Sequence, residues 1–397
     1  MVKVGILTFH WANHIGAVLQ TYALYRLLKS LGYETYVINY RPGLELVASP
    51  VIRPDRLVKK YGLLHLPPPK MIGSMLKDIT YYLSNLSIEI RKKLYFNSFR
   101  EKYLKIKLRN NITDIEELRQ ECLNYEVILV GSDQVWNPNF LKYSNYGYLL
   151  PFRLENTIKI GFSASIGVKL SMHKELLTLF RHFLRDFKFI SIRERRHAEE
   201  LSRILNRHVY HTLDPTLLVP KEIFEKISYS SCLRSLPEKY ILFYNLDSSI
   251  LPFAEVLENV LNLPVIIYKA PNLLERMLYG KWLKKKISFY HASPQDFVWL
   301  LRHAALVFTN SYHGLTLSIL FEKPVLVTTH GAPSRFGVES RIEDLVELLG
   351  LQNRVIKGRE DMVKALREDL GDYCTVRSKL RELRRTSIEL LKEALKP

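Results

Sequence analysis

The chain alternates two patterns of hydrophobic residues. Short, unbroken apolar runs such as Val127–Val130 and Leu306–Thr309 predict buried strands. Between such runs, apolar side chains recur every three or four positions, and one stretch places Val18, Tyr22 and Tyr25 on the same face of a predicted helix. Strands that alternate with helices are typical of parallel sheets, so we expect an α/β fold.

The order of these elements predicts two Rossmann-like domains. The chain has 397 residues, enough for two domains at roughly 100–200 residues each. We predict a first domain over residues 1–188, a second over 189–370 and a charged C-terminal helix over 371–397. The first domain lacks the GxGxxG fingerprint, which disfavours dinucleotide binding.

Residues 41–110 differ from the rest of the first domain. Several prolines separate amphipathic stretches there, and basic residues outnumber acidic ones, so we interpret the segment as a basic helical insertion. Just after it, Thr113 and Glu116 predict a capping box at the start of a helix, and later in the chain Ser340 predicts an N-cap.

The net charge of +18 favours an anionic partner, such as a membrane surface or a lipid-linked phosphate. No nucleic-acid motif accompanies the basic residues, so we do not expect nucleic acid as a partner. A solvated basic face is the alternative.

Bulk features indicate the compartment. The three cysteines, Cys122, Cys232 and Cys374, are far apart, which argues against a disulfide framework or a zinc site. No apolar run approaches the ~18 residues that span a bilayer. We expect a cytoplasmic protein, with a peripheral position at the inner membrane face as an open alternative.

A polar turn follows the strand Leu306–Thr309 and opens a helix. In an α/β sheet, ligands bind at the carboxyl ends of strands, and the first N–H groups of a helix favour an anion. Ser311, His313 and Gly314 lie in this turn, and His313 can carry a proton near neutral pH. A helix-capping turn with a hydrogen-bonded histidine is the alternative interpretation.

A second polar turn follows Val127–Val130. Its carboxylate, amide and indole side chains form a plausible sugar-binding set, although an Asx turn would also explain the aspartate. The side chains are Asp133, Gln134, Trp136 and Asn137. The loop after the first strand could likewise present Asn13 and His14 to a substrate.

Two basic residues also end predicted strands. Arg193 follows Phe189–Ile192, where its guanidinium could bind a carboxylate or phosphate, or pair with Glu194. Lys269 ends a strand predicted over 264–268.

Six blocks of sequence, in order, resemble the polysaccharide pyruvyl transferase family. They are LTFHWANHIGAVLQTYAL (7–24), VGSDQVWNP (130–138), ISIRE (190–194), LDPTLL (213–218), TNSYHG (309–314) and SRIEDLVELLGL (340–351). From its position alone, the LDPTLL block predicts a turn near the crossing between the domains.

The resemblance implies a fold like that of GT-B glycosyltransferases, with the two domains facing each other across a cleft. It also implies transfer of a pyruvyl group from phosphoenolpyruvate to two hydroxyls of one sugar, forming a ketal on a cell-surface glycan or its lipid-linked precursor. Phosphoenolpyruvate would be a co-substrate, and we expect neither another cofactor nor a metal.

The resemblance assigns roles to these residues. His313 would be catalytic and lie at the donor site, where Arg193 and Arg341 would bind the donor with Ser311 and Gly314. Lys269 joins this set on chemical grounds only. The chemistry of the reaction, rather than the resemblance, assigns the acceptor side: Asp133 would orient or deprotonate the hydroxyl, and Asn13, His14, Gln134, Trp136 and Asn137 would bind the sugar. Two alternatives stay open: a glycosyltransferase that uses a nucleotide sugar, and a non-catalytic glycan-binding relative.

Overall fold

The computed structural model describes residues 1–42, 90–141, 144–168, 174–229, 236–244, 251–268, 287–288, 292–329 and 338–396. Lys269 and most of the predicted insertion, residues 43–89, lie outside these ranges.

The described strands form two parallel sheets. The first sheet has the order β2-β1-β3-β4-β5-β6, and the second has the order β11-β10-β7-β8-β9. The strands are β1 Lys3–Leu7, β2 Glu34–Val37, β3 Val127–Val130, β4 Ile158–Ala164, β5 Phe189–Ile192, β6 Tyr210–His211, β7 Ile241–Tyr244, β8 Val265–Ile267, β9 Ile287–Ser288, β10 Leu306–Thr309 and β11 Val325–Val327. The central strands β3 and β10 are buried along their whole length, which explains why they are apolar without alternation.

Helices connect the strands and cover the sheets. They are α1 Ile15–Ser30, α2 over residues 90–103, α3 Ile115–Cys122, α4 Pro138–Leu141, α5 Lys174–Phe183, α6 Arg195–Leu205, α7 Pro215–Leu218, α8 Glu222–Glu225, α9 Leu251–Leu261, α10 Pro294–His303, α11 Tyr312–Leu320, α12 Val338–Leu349, α13 Arg359–Ala365 and α14 Cys374–Ala394. Helix α2 is the described helical part of the predicted insertion.

The predicted boundary between residues 188 and 189 is wrong. Strand β5 pairs in parallel with β4, and β6 pairs with β5, so the first sheet continues to His211. The apolar run of β5 identified a strand, but its neighbours in the sheet depend on tertiary structure.

Two predicted helix starts also need correction. Asp114, rather than Thr113, is the N-cap of α3, because its side chain accepts hydrogen bonds from the backbone N–H groups of Glu116 and Glu117. Helix α12 begins at Val338, so Ser340 lies within it and is not its N-cap.

The two sheets are joined by helices that pack between them. The short helix α7 contacts both α1 of the first half and α11 of the second half. The C-terminal helix α14 continues this junction, because Leu213 N–H donates to Ser387 Oγ at 3.1 Å and Arg384 Nε donates to the Leu217 carbonyl at 2.7 Å. One hydrophobic cluster therefore includes residues of both sheets, such as Val4 and Val307. This junction brings strand ends of the two sheets together.

Candidate active site between the two sheets

The histidine of the second half lies in the first turn of α11. Ser311 is the N-cap, and its Oγ accepts a hydrogen bond from Gly314 N–H at 3.3 Å. A Cβ atom at Gly314 would lie 2.6 Å from Thr309 Oγ1, so only glycine fits this turn without displacement. The turn directs His313 toward the first half, where its ring lies against Gly16 of α1. Its side chain is buried, with 3% of the residue exposed.

Asp214, at the start of α7, connects the charged groups of the site. Its carboxylate accepts hydrogen bonds from Arg193 Nη1 at 2.5 Å and from Ser132 Oγ at 3.3 Å, and its Oδ2 lies 3.5 Å from His313 Nε2. Thr216 adds two donors, its backbone N–H at 2.9 Å and its hydroxyl at 2.6 Å. Burial alone would raise the pKa of Asp214, but Arg193, His313 and Thr216 together hold it well below its usual range. The carboxylate is therefore ionised.

The sequence interpretation missed Asp214 as a site residue. It placed the LDPTLL block in a turn, and Asp214 does cap α7 through Thr216 N–H. The available signal was an aspartate before proline at a helix start, which also describes many structural caps. Its contact with His313 arises only because α7 and α11 pack together.

Arg193 connects the two acidic residues. Its Nη2 lies 3.5 Å from Asp133 Oδ1, and its Nη1 lies 3.4 Å from His313 Nε2. The guanidinium carbon is 4.5 Å from the ring centroid of Tyr312, a cation–π contact. Burial would lower the pKa of Arg193, but the neighbouring Asp214, Tyr312 and Asp133 raise it. Within the described residues its Nε–H is buried and has no hydrogen-bond partner.

A second guanidinium lies beside the first. Arg341 of α12 has its guanidinium carbon 5.6 Å from the same Tyr312 ring, and the residue is 5% exposed. Burial and the nearby Arg193 lower the pKa of Arg341 to about 10, which still leaves it charged at neutral pH. The structure thus brings Arg193, Arg341 and His313 to one place.

Asp133 lies at the end of β3 with a positive φ of 73°. Its Oδ1 accepts a hydrogen bond from Gln134 N–H at 2.9 Å, in addition to the contact with Arg193. Burial would raise the pKa of Asp133, but His313, Arg193 and Arg341 outweigh it and lower the pKa. Asp133 is therefore an ionised group on the side of the site that the first half contributes.

Trp136 is a core residue, and the prediction that it forms a sugar platform is wrong. Its side chain is fully buried, its indole N–H donates to the Tyr148 carbonyl at 3.0 Å, and its ring packs on Phe180 and Phe187. A Cβ atom at Gly161 of β4 would lie 2.5 Å from the indole, which shows how closely the sheet covers it. No face of this ring is left for a sugar.

The other predicted acceptor residues differ in accessibility. Asn137 is fully buried and donates to Gln134 Oε1 at 2.5 Å, so its side chain is used within the loop. Gln134 is 8% exposed. Asn13 and His14 are half-buried at the start of α1, and His14 interacts electrostatically with Asp133 and His313.

The described residues contain neither a cluster of metal ligands nor a helix that could span a membrane. Within the residues listed above as described, no three His, Cys, Asp or Glu side chains are grouped so that they could hold a metal ion. In the same part of the chain, no helix is both long and apolar enough to cross a bilayer.

The fold is an α/β fold of GT-B type, and the charged cluster is a candidate site between its two halves. The structure of UDP-GlcNAc 2-epimerase from Methanocaldococcus jannaschii superimposes with a TM-score of 0.52 at 11% identity, over 93% of each chain. UDP-GlcNAc 2-epimerase from Neisseria meningitidis gives 0.46 at 11% identity, over 99% of this chain and 100% of that one. Spinosyn rhamnosyltransferase SpnG gives 0.43 at 13% identity, over 99% of each chain.

The family follows from the sequence. The polysaccharide pyruvyl transferase family model matches residues 14–331, so the chain belongs to this family of transferases, and the predicted family is confirmed. No curated protein sequence matches the chain at a significant level.

Proposed function

We propose that the protein transfers the pyruvyl group of phosphoenolpyruvate to two hydroxyls of one sugar, forming a ketal on a cell-surface glycan or its lipid-linked precursor. The observation that carries the proposal is the cluster of Arg193, Asp214 and His313 at the junction of the sheets, in a member of the polysaccharide pyruvyl transferase family.

The donor carries a carboxylate and a phosphate, so its site needs cations and N–H donors. Arg193 and Arg341 lie side by side on Tyr312, and Arg193 Nε–H is buried without a hydrogen-bond partner among the described residues. In this proposal they bind the donor together with the N-terminal turn of α11, which Ser311 and Gly314 shape. Lys269 is a further proposed donor ligand.

His313 is the proposed general acid. Protonation of the methylene carbon of phosphoenolpyruvate makes the adjacent carbon electrophilic, and a positioned acid typically contributes about 10²–10⁴-fold in rate. The Asp214 carboxylate lies 3.5 Å from His313 Nε2. Arg193 Nη1 lies 3.4 Å from the same nitrogen and is itself paired with Asp214.

The acceptor binds on the side of the first half in this proposal. Four residues remain candidates there, because they lie in the loops that follow strands β1 and β3 of the first sheet: Asn13, His14, Asp133 and Gln134. Asn137 supports Gln134 through its hydrogen bond and acts indirectly.

We also propose that α2 contacts an anionic membrane surface. Ile90 and Leu94 are 51% and 63% exposed, one helical turn apart, beside the exposed Arg91 and Lys93. Co-sedimentation with phosphatidylglycerol vesicles should weaken in Leu94→Glu and remain unchanged in Leu123→Glu, whose leucine is 52% exposed outside α2. Equal binding by both variants would refute this contact.

The activity is tested by phosphate release from phosphoenolpyruvate, with and without a pooled extract of lipid-linked oligosaccharides. We expect acceptor-dependent release by the wild type and loss of release in His313→Ala. Absence of release, together with no binding of phosphoenolpyruvate by calorimetry, would exclude pyruvyl transfer. Release of nucleotide from a nucleotide sugar would then support a glycosyltransferase, and glycan binding alone a non-catalytic relative.

A further inference from the structure

The loop between β1 and α1 is held by an arginine from the insertion helix α2. Arg100 is 1% exposed, and its guanidinium donates to three consecutive carbonyls, those of His10 at 2.7 Å, Trp11 at 2.6 Å and Ala12 at 2.8 Å. It also donates to Asn13 Oδ1 at 2.9 Å. Asn97, one turn earlier in α2, accepts from Nη1 at 2.9 Å and orients the guanidinium.

This arrangement fixes the backbone directly before His14. The other end of the loop is held by His10, whose ring lies 3.1 Å from both the Thr8 carbonyl and Asn39 Oδ1. A planar guanidinium can bind several acceptors in a fixed geometry, which a lysine ammonium on a flexible stem cannot reproduce. Through Arg100, the insertion helix α2 therefore holds a loop of the candidate site in place.

The His14 side chain does not cap the helix that it precedes. His14 is the N-cap residue of α1, but its side chain makes no capping hydrogen bond, and no hydrogen bond to its ring is found within the described residues. It is half-buried, next to His313 and Asp133. An imidazole that lies near the proposed acid and has no hydrogen-bond partner among the described residues is suited to proton transfer.

We propose that His14 is the general base for the acceptor hydroxyl and that Arg100 is the residue that positions it. This inference rests on the proposed pyruvyl transfer. Asp133 is less suited to this role, because its carboxylate is already bound to Arg193 and to Gln134 N–H.

The charges around His14 agree with a base that is neutral before reaction. Burial lowers its pKa to about 4, and His313 of α11, Lys92 of α2 and Arg341 of α12 add to this effect, whereas Asp133 opposes it. At neutral pH the imidazole therefore keeps a lone pair.

The protons balance with two histidines. His313 gives its proton to the methylene carbon of phosphoenolpyruvate, which becomes a methyl group. The first hydroxyl oxygen bonds to the adjacent carbon, and its proton goes to His14. The bond from this carbon to the phosphate oxygen breaks, and His14 returns the proton to the leaving phosphate. The second hydroxyl then closes the ketal, and its proton restores protonated His313.

Three variants separate this role from a merely structural one: His14→Gln, Arg100→Lys and, as a matched control, Arg354→Lys. Arg354 is an arginine of similar burial, 3% exposed, that donates to the Asp372 carbonyl. We expect His14→Gln to lower acceptor-dependent phosphate release by about 10²–10⁴-fold. Arg100→Lys should lower it by about 10²-fold, the typical effect of a displacement of about 1 Å. Both should keep the wild-type affinity for phosphoenolpyruvate, and Arg354→Lys should keep the wild-type rate.

A second readout follows the His14 ring directly. In protein labelled at the histidine Cε1 positions, the His14 resonance, assigned from His14→Gln, should titrate near pH 4 in the wild type and closer to the usual 6.5 in Arg100→Lys. If Arg100→Lys does not fold, Asn97→Ala takes its place. This variant should raise the pKa of His14 and lower the rate of phosphate release, each by a smaller amount than expected for Arg100→Lys.

The experiments distinguish failure of the role proposed for His14 from failure of the proposed pyruvyl transfer. A wild type that binds phosphoenolpyruvate and releases phosphate, while His14→Gln retains this rate, would overturn the inference alone. A His14 resonance that titrates near 6.5 in the wild type, or does not move in the Arg100 and Asn97 variants, would overturn the positioning role. A wild type without phosphoenolpyruvate binding or release would refute the proposed function first.

Discussion

The contact between Gly16 and His313 allows a sharp test of the site geometry. A Cβ atom at Gly16 would lie 2.1 Å from His313 Nδ1, 2.6 Å from its Cγ and 2.9 Å from its Cε1. These atoms belong to a buried ring rather than to the end of a flexible chain, so Gly16→Ala must displace the imidazole or separate α1 from α11.

The required displacement is large on the scale of catalysis. The ring has to move by about 1.3 Å, from 2.1 Å to the 3.4 Å at which ordinary van der Waals contact begins. His313 Nε2 now lies 3.5 Å from Asp214 Oδ2 and 3.4 Å from Arg193 Nη1, and such a movement changes both distances. A misplacement of about 1 Å can cost about 10²-fold in rate.

The effect on stability has two opposing parts. Overpacking typically costs about 1–3 kcal/mol, whereas replacing a helical glycine by alanine gains about 1 kcal/mol. We therefore expect a net loss of about 0–2 kcal/mol, with the loss of turnover as the dominant effect.

Phosphate release and urea unfolding measure the two effects. In Gly358→Ala, the matched control, the new Cβ meets no atom within 4 Å, so this variant should keep wild-type turnover. The double variant Gly16→Ala/His313→Ala should be as stable as His313→Ala alone, because the ring that the new Cβ would meet is absent. Wild-type turnover and stability in Gly16→Ala would refute the contact.

Further predictions concern the acid–base network, the core and the cysteines. Asp214→Asn should lower stability at pH 7 by about 3–5 kcal/mol in urea unfolding, because it breaks a buried ion pair. Since the folded-state pKa of Asp214 is lowered, wild-type stability should fall as the pH drops below the unfolded pKa of about 3.9, and the variant should lose less over this range. Trp136→Ala should cost about 3–5 kcal/mol without changing the affinity for phosphoenolpyruvate, whereas lost acceptor turnover at unchanged stability would restore the sugar-platform interpretation. Maleimide at pH 7.5 should label the exposed Cys374 but not Cys122 in native protein, as judged by peptide mass spectrometry, because burial raises the pKa of the Cys122 thiol to about 12.

The sequence determined the local elements of the fold. The unbroken apolar runs Val127–Val130 and Leu306–Thr309 are strands with the predicted bounds, because a strand buried on both faces needs apolar residues at every position. It also identified His313, Asp133 and Arg193 as candidates, because each lies within four residues of the end of a strand and the carboxyl ends of parallel strands meet at one edge. The structure does bring these three residues together.

Only the tertiary structure decided how these elements and side chains combine. The first sheet extends to His211 because β5 and β6 pair with β4, and pairing between distant strands has no local signal. Trp136 could have been a platform or a core residue, and the packing of Phe180 and Phe187 made it core. Asp214 reaches His313, and Arg100 reaches the loop before His14, across separations of about a hundred residues. Short-range patterns specify which residues end strands and begin helices, but the contact of one charged group with another depends on how whole helices pack between the sheets.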